Sequence, residues 1–188
     1  MIVILTALPA EARPLIEALE LDAPTAANAG RLPLYTGADH CLLVSGTGSH
    51  AAAAAVGYAA AALDTAAHSA WLNVGIAGSP SLDPGAAIVA DRIVDAATGM
   101  TAYPFLTPGV NADCATVTTV AEPDTDYRHA GAVDMEAWGF FAAATRFATL
   151  EQVQCLKVIS DGPRHPAARL NAGTISALVA EQIPLVRT

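Results

Sequence analysis

The sequence predicts an α/β fold in which helices cover both faces of a mixed, mostly parallel sheet, as a three-layer sandwich. Apolar runs of strand length recur along the chain, and helical patterns lie between them. Glycine-rich turns directly follow two of these apolar runs. The 188 residues show no linker and no repeat, so residues 1–188 are expected to form one domain.

The first half of the chain begins with a strand and a helix. Ile2–Thr6 is almost entirely apolar, which is typical of a buried parallel strand. Proline suits the first turn of the next helix, Pro9–Leu19, whose leucine and isoleucine side chains share one face. The elements predicted next are a hairpin of Leu32–Tyr35 with Cys41–Val44, the helix Ser49–Leu63, and the strands Trp71–Val74 and Ala86–Val94.

The second half is less regular. From Asp95 to Asn111 the pattern indicates irregular structure, and Glu122–Arg128 indicates a polar loop. The elements predicted around these segments are the strand Thr116–Val120, the helix Met135–Phe147, the strand Cys155–Ile159 and a closing helix at Ala167–Gln182. Strands that alternate with helices favour the α/β class over an all-β or all-α domain.

Composition narrows the possible functions. Nine basic residues against eighteen acidic ones give a net charge of -9, which argues against a nucleic-acid partner. Apolar residues make up 53% of the chain and charged residues only 14%, so disorder is not expected. So few charges indicate that a second copy covers part of the surface, and we therefore expect a homo-oligomer, a dimer or larger.

The cysteines and the N-terminal segment indicate the cellular compartment of the protein. Cys41, Cys114 and Cys155 are an odd set in or beside apolar runs, which favours buried free thiols in a reducing compartment. No cysteine or histidine spacing predicts a metal site. The start lacks the basic segment of a signal peptide, and the apolar stretch Ala51–Leu63 is too short to cross a bilayer. We expect a cytoplasmic protein with no membrane partner.

Three carboxylates follow strands or begin helices. Glu11 comes soon after Ile2–Thr6, Glu136 is placed near a helix start, and Asp161 follows the strand Cys155–Ile159. Ligands of open α/β sheets bind outside the carboxyl ends of the strands, so the set predicts a polar small-molecule site. Each acid also has a structural interpretation, because acids are common in the first turn of helices and in turns before proline.

Two small-residue turns could contribute backbone donors. Ser45-Gly46-Thr47-Gly48 and Gly75-Ile76-Ala77-Gly78 each follow an apolar strand. Such turns let a ligand approach the backbone and expose N–H groups at a helix start. The alternative is that these glycines only close tight strand–helix turns. Neither turn has the spacing of a dinucleotide-binding fingerprint.

Six segments, in order, resemble the nucleoside phosphorylase and nucleosidase superfamily, and especially the methylthioadenosine/S-adenosylhomocysteine nucleosidases. The resembling segments are Ala7-Leu8-Pro9-Ala10-Glu11, Ser45-Gly46-Thr47-Gly48, Asn73-Val74-Gly75-Ile76-Ala77-Gly78, Leu82–Asp91, Asp134-Met135-Glu136-Ala137 and Ile159-Ser160-Asp161. The resemblance implies a phosphorylase-like fold, a nucleoside ligand and no cofactor. It also implies an oligomer, because enzymes of this family assemble as dimers or larger oligomers and sometimes complete their site with a neighbouring subunit.

The resemblance also implies roles for individual residues. Glu11 would hold and deprotonate the attacking water, and Asp161 would protonate the leaving base. Glu136 would accept hydrogen bonds from the ribose hydroxyls, with Met135 packed against the sugar. Negative groups below the sugar would stabilise the positive charge that develops as the bond breaks.

The nucleophile is predicted to be water. Phosphorylases of the superfamily carry an arginine in place of Asn73, and a phosphate dianion needs such a cation. Ile76 matches neither branch, since it lacks the usual hydroxyl. Lys157, the only lysine, occupies the place of a family arginine and either orients Glu11 or extends from a strand end. The alternatives are a phosphorylase, with phosphate bound at the Ser45–Gly48 turn, and a non-catalytic nucleoside-binding relative.

The stretch between Asp95 and Gly131 is several tens of residues shorter than in typical nucleosidases. It is the part that those enzymes use to enclose the base. Tyr103, Phe105 and Tyr127 could stack on a base here, or they could be ordinary core or surface aromatics. The purine preference therefore rests on the resemblance alone.

Overall fold

The computed structural model describes residues 1–24, 32–63 and 68–187, and it has an α/β fold with a mixed sheet. The strands are β1 Ile2–Thr6, β2 Leu34–Thr36, β3 His40–Val44, β4 Ala70–Gly78, β5 Ala87–Asp95, β6 Thr101–Ala102, β7 Asp113–Thr119, β8 Ala132–Asp134 and β9 Val153–Asp161. The helices are α1 Pro9–Ala18, α2 Ser49–Ala62, α3 Ala137–Ala144, α4 Ala172–Ala180 and α5 Ile183–Val186. The α/β class with a mixed sheet is therefore confirmed.

The sheet brings the ends of four strands together. β1 pairs in parallel with both β3 and β4, and β4 pairs in parallel with β9. β9 pairs antiparallel with β5, which is parallel to β7, and β7 is parallel to β8. β8 then returns to β4 through an antiparallel contact at Gly78 and Val133, so five strands form a closed circuit. The carboxyl ends of β1, β4 and β9 and the end of β8 consequently lie in one region.

Side chains alternate across β1 between two apolar clusters. Val3 and Leu5 pack with the residues of α2 and α3, while Ile4 packs with those of α1 and α4. Successive side chains of a strand point to opposite faces, which explains how one apolar run serves two clusters. Full burial of each such side chain contributes roughly 1.5–3 kcal/mol.

Gly139 sets how closely α3 approaches the start of α2. A Cβ atom at this position would lie 1.9 Å from the carbonyl oxygen of Ser49, so no larger residue fits without movement of the backbone. This approach places Gly48, which immediately precedes α2, beside Glu136, which immediately precedes α3. The packing of two helices thus assembles part of the site described below.

Several predicted boundaries were wrong. The strand predicted at Trp71–Val74 continues to Gly78, because β9 pairs with it along that whole length. The helix predicted from Met135 begins at Ala137, since the Asp134 carboxylate binds the first amides. The predicted closing helix is divided into a 3-10 turn at Ala167–Arg169 and α4, and Asn171 caps α4 through the Thr174 amide.

The prediction of buried free thiols is confirmed for Cys41 and Cys155. The three cysteines are free, but Cys114 is exposed, so the prediction of burial was wrong for it. Burial raises the pKa of the Cys41 thiol to about 11 and that of Cys155 to about 12.

In the part of the chain that the structure describes, no helix combines the length and the apolar character needed to cross a bilayer.

Candidate active site

A cavity of about 190 Å³ opens at the carboxyl ends of β1, β4 and β9, beside the end of β8. This is where open α/β sheets bind their ligands. The structure brings eight of the predicted site residues to its wall, namely Glu11, Ile76, Ala77, Gly78, Met135, Glu136, Ser160 and Asp161. All three predicted carboxylates therefore face the same cavity.

Glu11 is fixed by backbone amides on both oxygens. Its Oε2 accepts hydrogen bonds from the amides of Ala7 at 2.9 Å and Leu8 at 2.8 Å. Its Oε1 accepts one from the Ile76 amide at 2.9 Å. A carboxylate oxygen has two lone-pair sites, so Oε1 retains one site for a further donor. Because the two residues that precede α1 and a residue of β4 together hold the group, its orientation is set before any ligand binds.

Glu136 is held by the turn that precedes α2. Its Oε1 accepts a hydrogen bond of 2.7 Å from the Gly48 amide. Gly48 has a φ of 103°, a backbone conformation that residues with a side chain rarely adopt. The neighbouring amides are also engaged, since Ser45 donates to the Thr6 carbonyl and Gly46 to the Ala7 carbonyl. The turn thus acts as a support for a carboxylate of the protein itself.

Asp161 lies beside an irregularity in the sheet. Ala77 pairs with Ile159 but Gly78 pairs with Asp161, so Ser160 has no pairing residue on β4. Neighbouring residues of a regular strand face opposite sides, and a bulge of this kind redirects side chains. It accounts for the presence of both Ser160 and Asp161 on the wall of the cavity.

The two glycines of β4 make room for the carboxylates. A Cβ at Gly75 would lie 3.0 Å from Glu11 Oε1, and one at Gly78 would lie 2.9 Å from Asp161 Oδ2. Gly75 and Gly78 were predicted to allow close approach of a ligand. Within the protein, the groups that approach these two positions most closely are the Glu11 and Asp161 side chains.

Lys157 and Asp134 form an ion pair behind the cavity. Lys157 Nζ lies 2.7 Å from Asp134 Oδ2, and both side chains are fully buried. The other Asp134 oxygen accepts a hydrogen bond from the Thr119 hydroxyl at 2.8 Å. Asp134 Oδ2 also accepts the amides of Glu136 and Ala137, so it anchors the start of α3. One buried lysine therefore holds in place the segment that carries Glu136.

Burial shifts the pKa values of the Glu11 and Glu136 carboxyl groups. It raises the pKa of Glu11, against the lowering effect of the Ile76, Leu8 and Ala7 amides and of Lys157. It also raises the pKa of Glu136, which Lys157 opposes and the charge of Asp134 reinforces. The pKa of Lys157 is raised in spite of its burial, because Asp134 and Glu136 stabilise its positive charge.

The cavity wall carries several acidic residues. Glu11, Asp124, Glu136 and Asp161 contribute to it, and Asp134 lines it while its carboxylate is buried against Lys157. Among the described residues, no arginine, lysine or histidine forms part of the wall. Such a wall suits a ligand with hydroxyl and N–H donors or a developing positive charge.

Five predicted site residues do not line the cavity. Gly46 and Gly48 belong to the turn that supports Glu136, and the Ser45 hydroxyl lies within hydrogen-bond distance of the backbone carbonyls of Thr6 and Gly46. Gly75 lies behind Glu11, and Lys157 lies behind Asp134. Gly48, Gly75 and Lys157 adjoin side chains of the wall, whereas Ser45 and Gly46 contact backbone carbonyls.

Sequence reasoning missed several contributors. Asp134 was quoted in a motif but given no role, and its position only becomes informative once Lys157 is placed opposite it. Leu8 and Thr47 line the cavity, and they belong to segments that resemble the family but were given no role. Pro123–Thr125, in the predicted polar loop, form another part of the wall. Only the shortness of the loop, which brings it close to the sheet, could have indicated that wall.

The aromatic side chains of the shortened segment differ in their placement. Tyr103 and Phe105 are largely exposed and do not line the cavity. Tyr127 is partly buried, and its hydroxyl donates a hydrogen bond of 2.9 Å to Asp161 Oδ2. Of the three candidates, Tyr127 is the one that contacts a predicted site residue.

A second cavity of about 240 Å³ lies at the opposite ends of the strands. Ile2, Trp71 and Leu156 contribute to its mostly apolar wall, and Glu151 is the one carboxylate on it among the described residues. Its polar side chains include Thr107, Gln152 and Gln154, but among the described residues it has no set of carboxylates such as Glu11, Glu136 and Asp161. The acidic cavity is therefore the candidate active site.

Glu11→Gln should remove a part of the pH dependence of stability. A carboxyl whose pKa is raised by folding binds its proton more tightly in the folded state, so stability is lost as the pH rises from about 4.5 through the folded pKa. The free energy of unfolding of the wild type should fall over this window, and that of Glu11→Gln should fall less. Denaturant unfolding from pH 4.5 to neutral pH measures both.

The matched control is Glu17→Gln in the same helix, where the side chain is 67% exposed. Its stability profile should run parallel to that of the wild type. A Glu11→Gln profile that also runs parallel to the wild type would show that burial does not perturb Glu11.

Comparisons with known proteins agree with this architecture. Residues 1–124 match the sequence model of the phosphorylase superfamily. A comparison with curated protein sequences finds no match.

Solved structures that have a similar fold include two nucleosidases and a futalosine hydrolase. A 5′-methylthioadenosine nucleosidase of Arabidopsis thaliana superposes with a TM-score of 0.82 at 18% identity, over 99% of this chain and 94% of that one. A futalosine hydrolase of Helicobacter pylori gives 0.76 at 14% identity, over 99% and 95%. The 5′-methylthioadenosine/S-adenosylhomocysteine nucleosidase of S. pneumoniae gives 0.75 at 19% identity, over 98% and 96%. At these identities the likeness establishes the fold.

Proposed function

Since this chain belongs to the phosphorylase superfamily, we propose that it is a nucleosidase, an enzyme that hydrolyses the N-glycosidic bond of a purine nucleoside or thionucleoside. The convergence of Glu11, Glu136 and Asp161 on one acidic cavity carries the proposal. The structurally similar enzymes support it, since they are described as a nucleosidase of 5′-methylthioadenosine and a hydrolase of futalosine. The S. pneumoniae structure contains a transition-state inhibitor.

Glu11 is proposed to position and deprotonate the attacking water. Its Oε1 has one lone-pair site that no backbone amide occupies, and this site can accept a hydrogen bond from water. Its raised pKa brings its basicity closer to that needed at neutral pH. The water oxygen would then bond to C1′ of the sugar while its proton passes to Glu11.

Glu136 and Asp161 are proposed to act on the two halves of the nucleoside. Glu136 would accept hydrogen bonds from the ribose hydroxyls through the oxygen that Gly48 does not occupy, and Met135 would pack against the sugar. Asp161 would transfer its proton to a base nitrogen as the electron pair of the C–N bond moves onto the base. The carboxylates together would stabilise the cationic character of the sugar.

The wall of the cavity favours water over phosphate as the nucleophile. A phosphate dianion in a partly dry site needs cationic or several N–H partners. The described wall instead offers the carboxylates of Glu11, Glu136 and Asp161, and the Gly46 and Gly48 amides are already engaged. The Asn73 side chain donates to the Leu5 carbonyl, within the sheet.

Ile76 does not prevent catalysis in this proposal. Its side chain supplies no hydroxyl, but its amide contributes one of the three donors that orient Glu11. The Ile76 amide can therefore help to place the attacking water through Glu11, although its side chain has no hydroxyl. A non-catalytic nucleoside-binding relative would need no such preorganised base.

Four further properties are proposed with the activity. The chain forms one domain over residues 1–188, arranged as a three-layer sandwich. This is supported by the two apolar clusters on opposite sides of β1. It works in the cytoplasm as a homo-oligomer. The oligomer is supported by large apolar side chains exposed at Met100, Tyr103, Phe105, Leu106, Phe147 and Leu150.

The test is a panel of purine nucleosides and thionucleosides, assayed for free base with and without phosphate. We expect base and free sugar to appear at a rate that phosphate does not change. A rate that requires phosphate, with sugar 1-phosphate as the product, would establish the phosphorylase instead. Binding of nucleosides without release of base from any of them would establish the non-catalytic alternative.

A further inference from the structure

Tyr127 reaches the proposed acid from the shortened segment. Its hydroxyl donates to Asp161 Oδ2 at 2.9 Å, and Cε1 of its ring lies 3.3 Å from where a Cβ of Gly78 would be. Its backbone φ is 51°, in the left-handed region that bulky residues rarely adopt. A strained conformation of this kind persists only where surrounding contacts impose it, and such residues concentrate at functional sites.

The direction of this hydrogen bond is defined by a second one. The Ala167 amide donates to the Tyr127 hydroxyl oxygen at 3.3 Å. An amide N–H can only donate, so the proton of the hydroxyl is left for Asp161. Burial and the neighbouring Asp161 raise the pKa of Tyr127, which keeps the phenol protonated and able to donate.

Ser160 holds the other oxygen of the same carboxyl group. Its hydroxyl lies within hydrogen-bond distance of both Asp161 Oδ1 and the Ala77 carbonyl. It can therefore donate to the carbonyl while Asp161 is protonated and to Oδ1 once Asp161 is ionised. Tyr127 and Ser160 together fix the plane of the carboxyl group that faces the cavity.

We propose that Tyr127 is a positioning residue for Asp161 in the proposed nucleosidase reaction, on which this inference rests. Its hydroxyl holds the acid in place and donates to the carboxylate that remains after the proton has moved to the base. Tyr127 itself gains or loses no proton in the step. The proton on the base comes from Asp161, and the electron pair on the base comes from the broken C–N bond.

This hydrogen bond is worth more in the transition state than in the ground state. A donor interacts about twice as strongly with an ionised acceptor as with a neutral one. Asp161 acquires negative charge as it gives up its proton, so the interaction with Tyr127 strengthens while the C–N bond breaks. Only such differential interactions raise kcat.

Tyr127→Phe, which removes only the hydroxyl, tests the proposal against a matched control, Tyr103→Phe. Tyr103 belongs to the same segment but is 69% exposed. We expect Tyr127→Phe to lower kcat for a purine nucleoside by about 10- to 100-fold, the equivalent of one hydrogen bond to a charged group, with KM little changed. Tyr103→Phe should leave both constants at their wild-type values.

Two further comparisons distinguish positioning from a general structural role. A nitrophenyl riboside has a leaving group that departs without protonation, so Tyr127→Phe should cleave it at nearly the wild-type rate. In an Asp161→Asn background, where no acid remains to position, Tyr127→Phe should have little additional effect. A structural defect would instead slow both substrates and would multiply the effect of Asp161→Asn.

The outcomes separate the two proposals. An active wild type with a Tyr127→Phe variant that matches it, or that loses the riboside equally, would overturn the role of Tyr127 and leave the proposed function standing. A wild type that releases base from no nucleoside in the panel would overturn the proposed function, and this inference with it.

Discussion

Asp161→Asn is expected to lower kcat for a purine nucleoside by about 10² to 10⁴-fold, with KM changed far less. Asparagine keeps the shape of the side chain and can still hydrogen-bond to the base, but it has no acidic proton for the leaving group. The loss should therefore fall on the transition state and not on binding. Steady-state release of base, together with equilibrium binding of the nucleoside, measures the two effects separately.

The matched control for this variant is Asp113→Asn, an exposed acid at the start of β7, outside the wall of the cavity. It should retain wild-type kinetics. Equal losses of turnover and binding in Asp161→Asn would assign the residue to recognition of the base and would remove it as the acid.

Lys157→Met is expected to lower the free energy of unfolding by about 3–5 kcal/mol. The methionine would leave Asp134 buried without its positive partner, in the vicinity of Glu136, whose charge Lys157 also offsets. Activity should fall with stability, because Asp134 anchors the start of α3 and so positions Glu136. Chemical denaturation followed by circular dichroism gives the loss.

A second variant shows whether the loss arises from the unpaired charge. Lys157→Met combined with Asp134→Asn removes both members of the ion pair, so the double variant should lose clearly less stability than the sum of the two single losses. Simple additivity would mean that the two side chains stabilise the fold independently, and that the ion pair is not what anchors the helix.

Much of the fold could be predicted because the apolar pattern is strong where elements are buried. The strand Ile2–Thr6 was predicted with the bounds that it has, and α1 and α2 differ from prediction by one residue at the end. In these segments local propensity and burial agree, so the sequence alone carries enough information.

The boundaries that failed are those that distant residues determine. Gly75 to Gly78 looks like a turn because glycines follow an apolar run, yet it remains in β4 through pairing with β9. β8 has three residues, and its existence depends on its neighbours β4 and β7, so no local pattern identifies it. Tertiary pairing overrides local preference in both places.

The candidate site was predicted in outline but not in its connections. The sequence placed Glu11, Glu136 and Asp161 at one edge of the sheet, and they do line one cavity. It left open whether Lys157 orients Glu11, and the structure pairs this lysine with Asp134. A partner that depends on how two strands and a helix pack together cannot be inferred from spacing along the chain.

We propose that one nucleoside lies among Glu11, Glu136 and Asp161. A crystal structure of the slow Asp161→Asn variant with a bound purine nucleoside would show its position. We expect ribose hydroxyls on Glu136, C1′ facing Glu11 and a base nitrogen within hydrogen-bond distance of residue 161. A nucleoside bound in the apolar cavity at the other end of the strands, or oriented with its sugar away from Glu11 and Glu136, would contradict the claim.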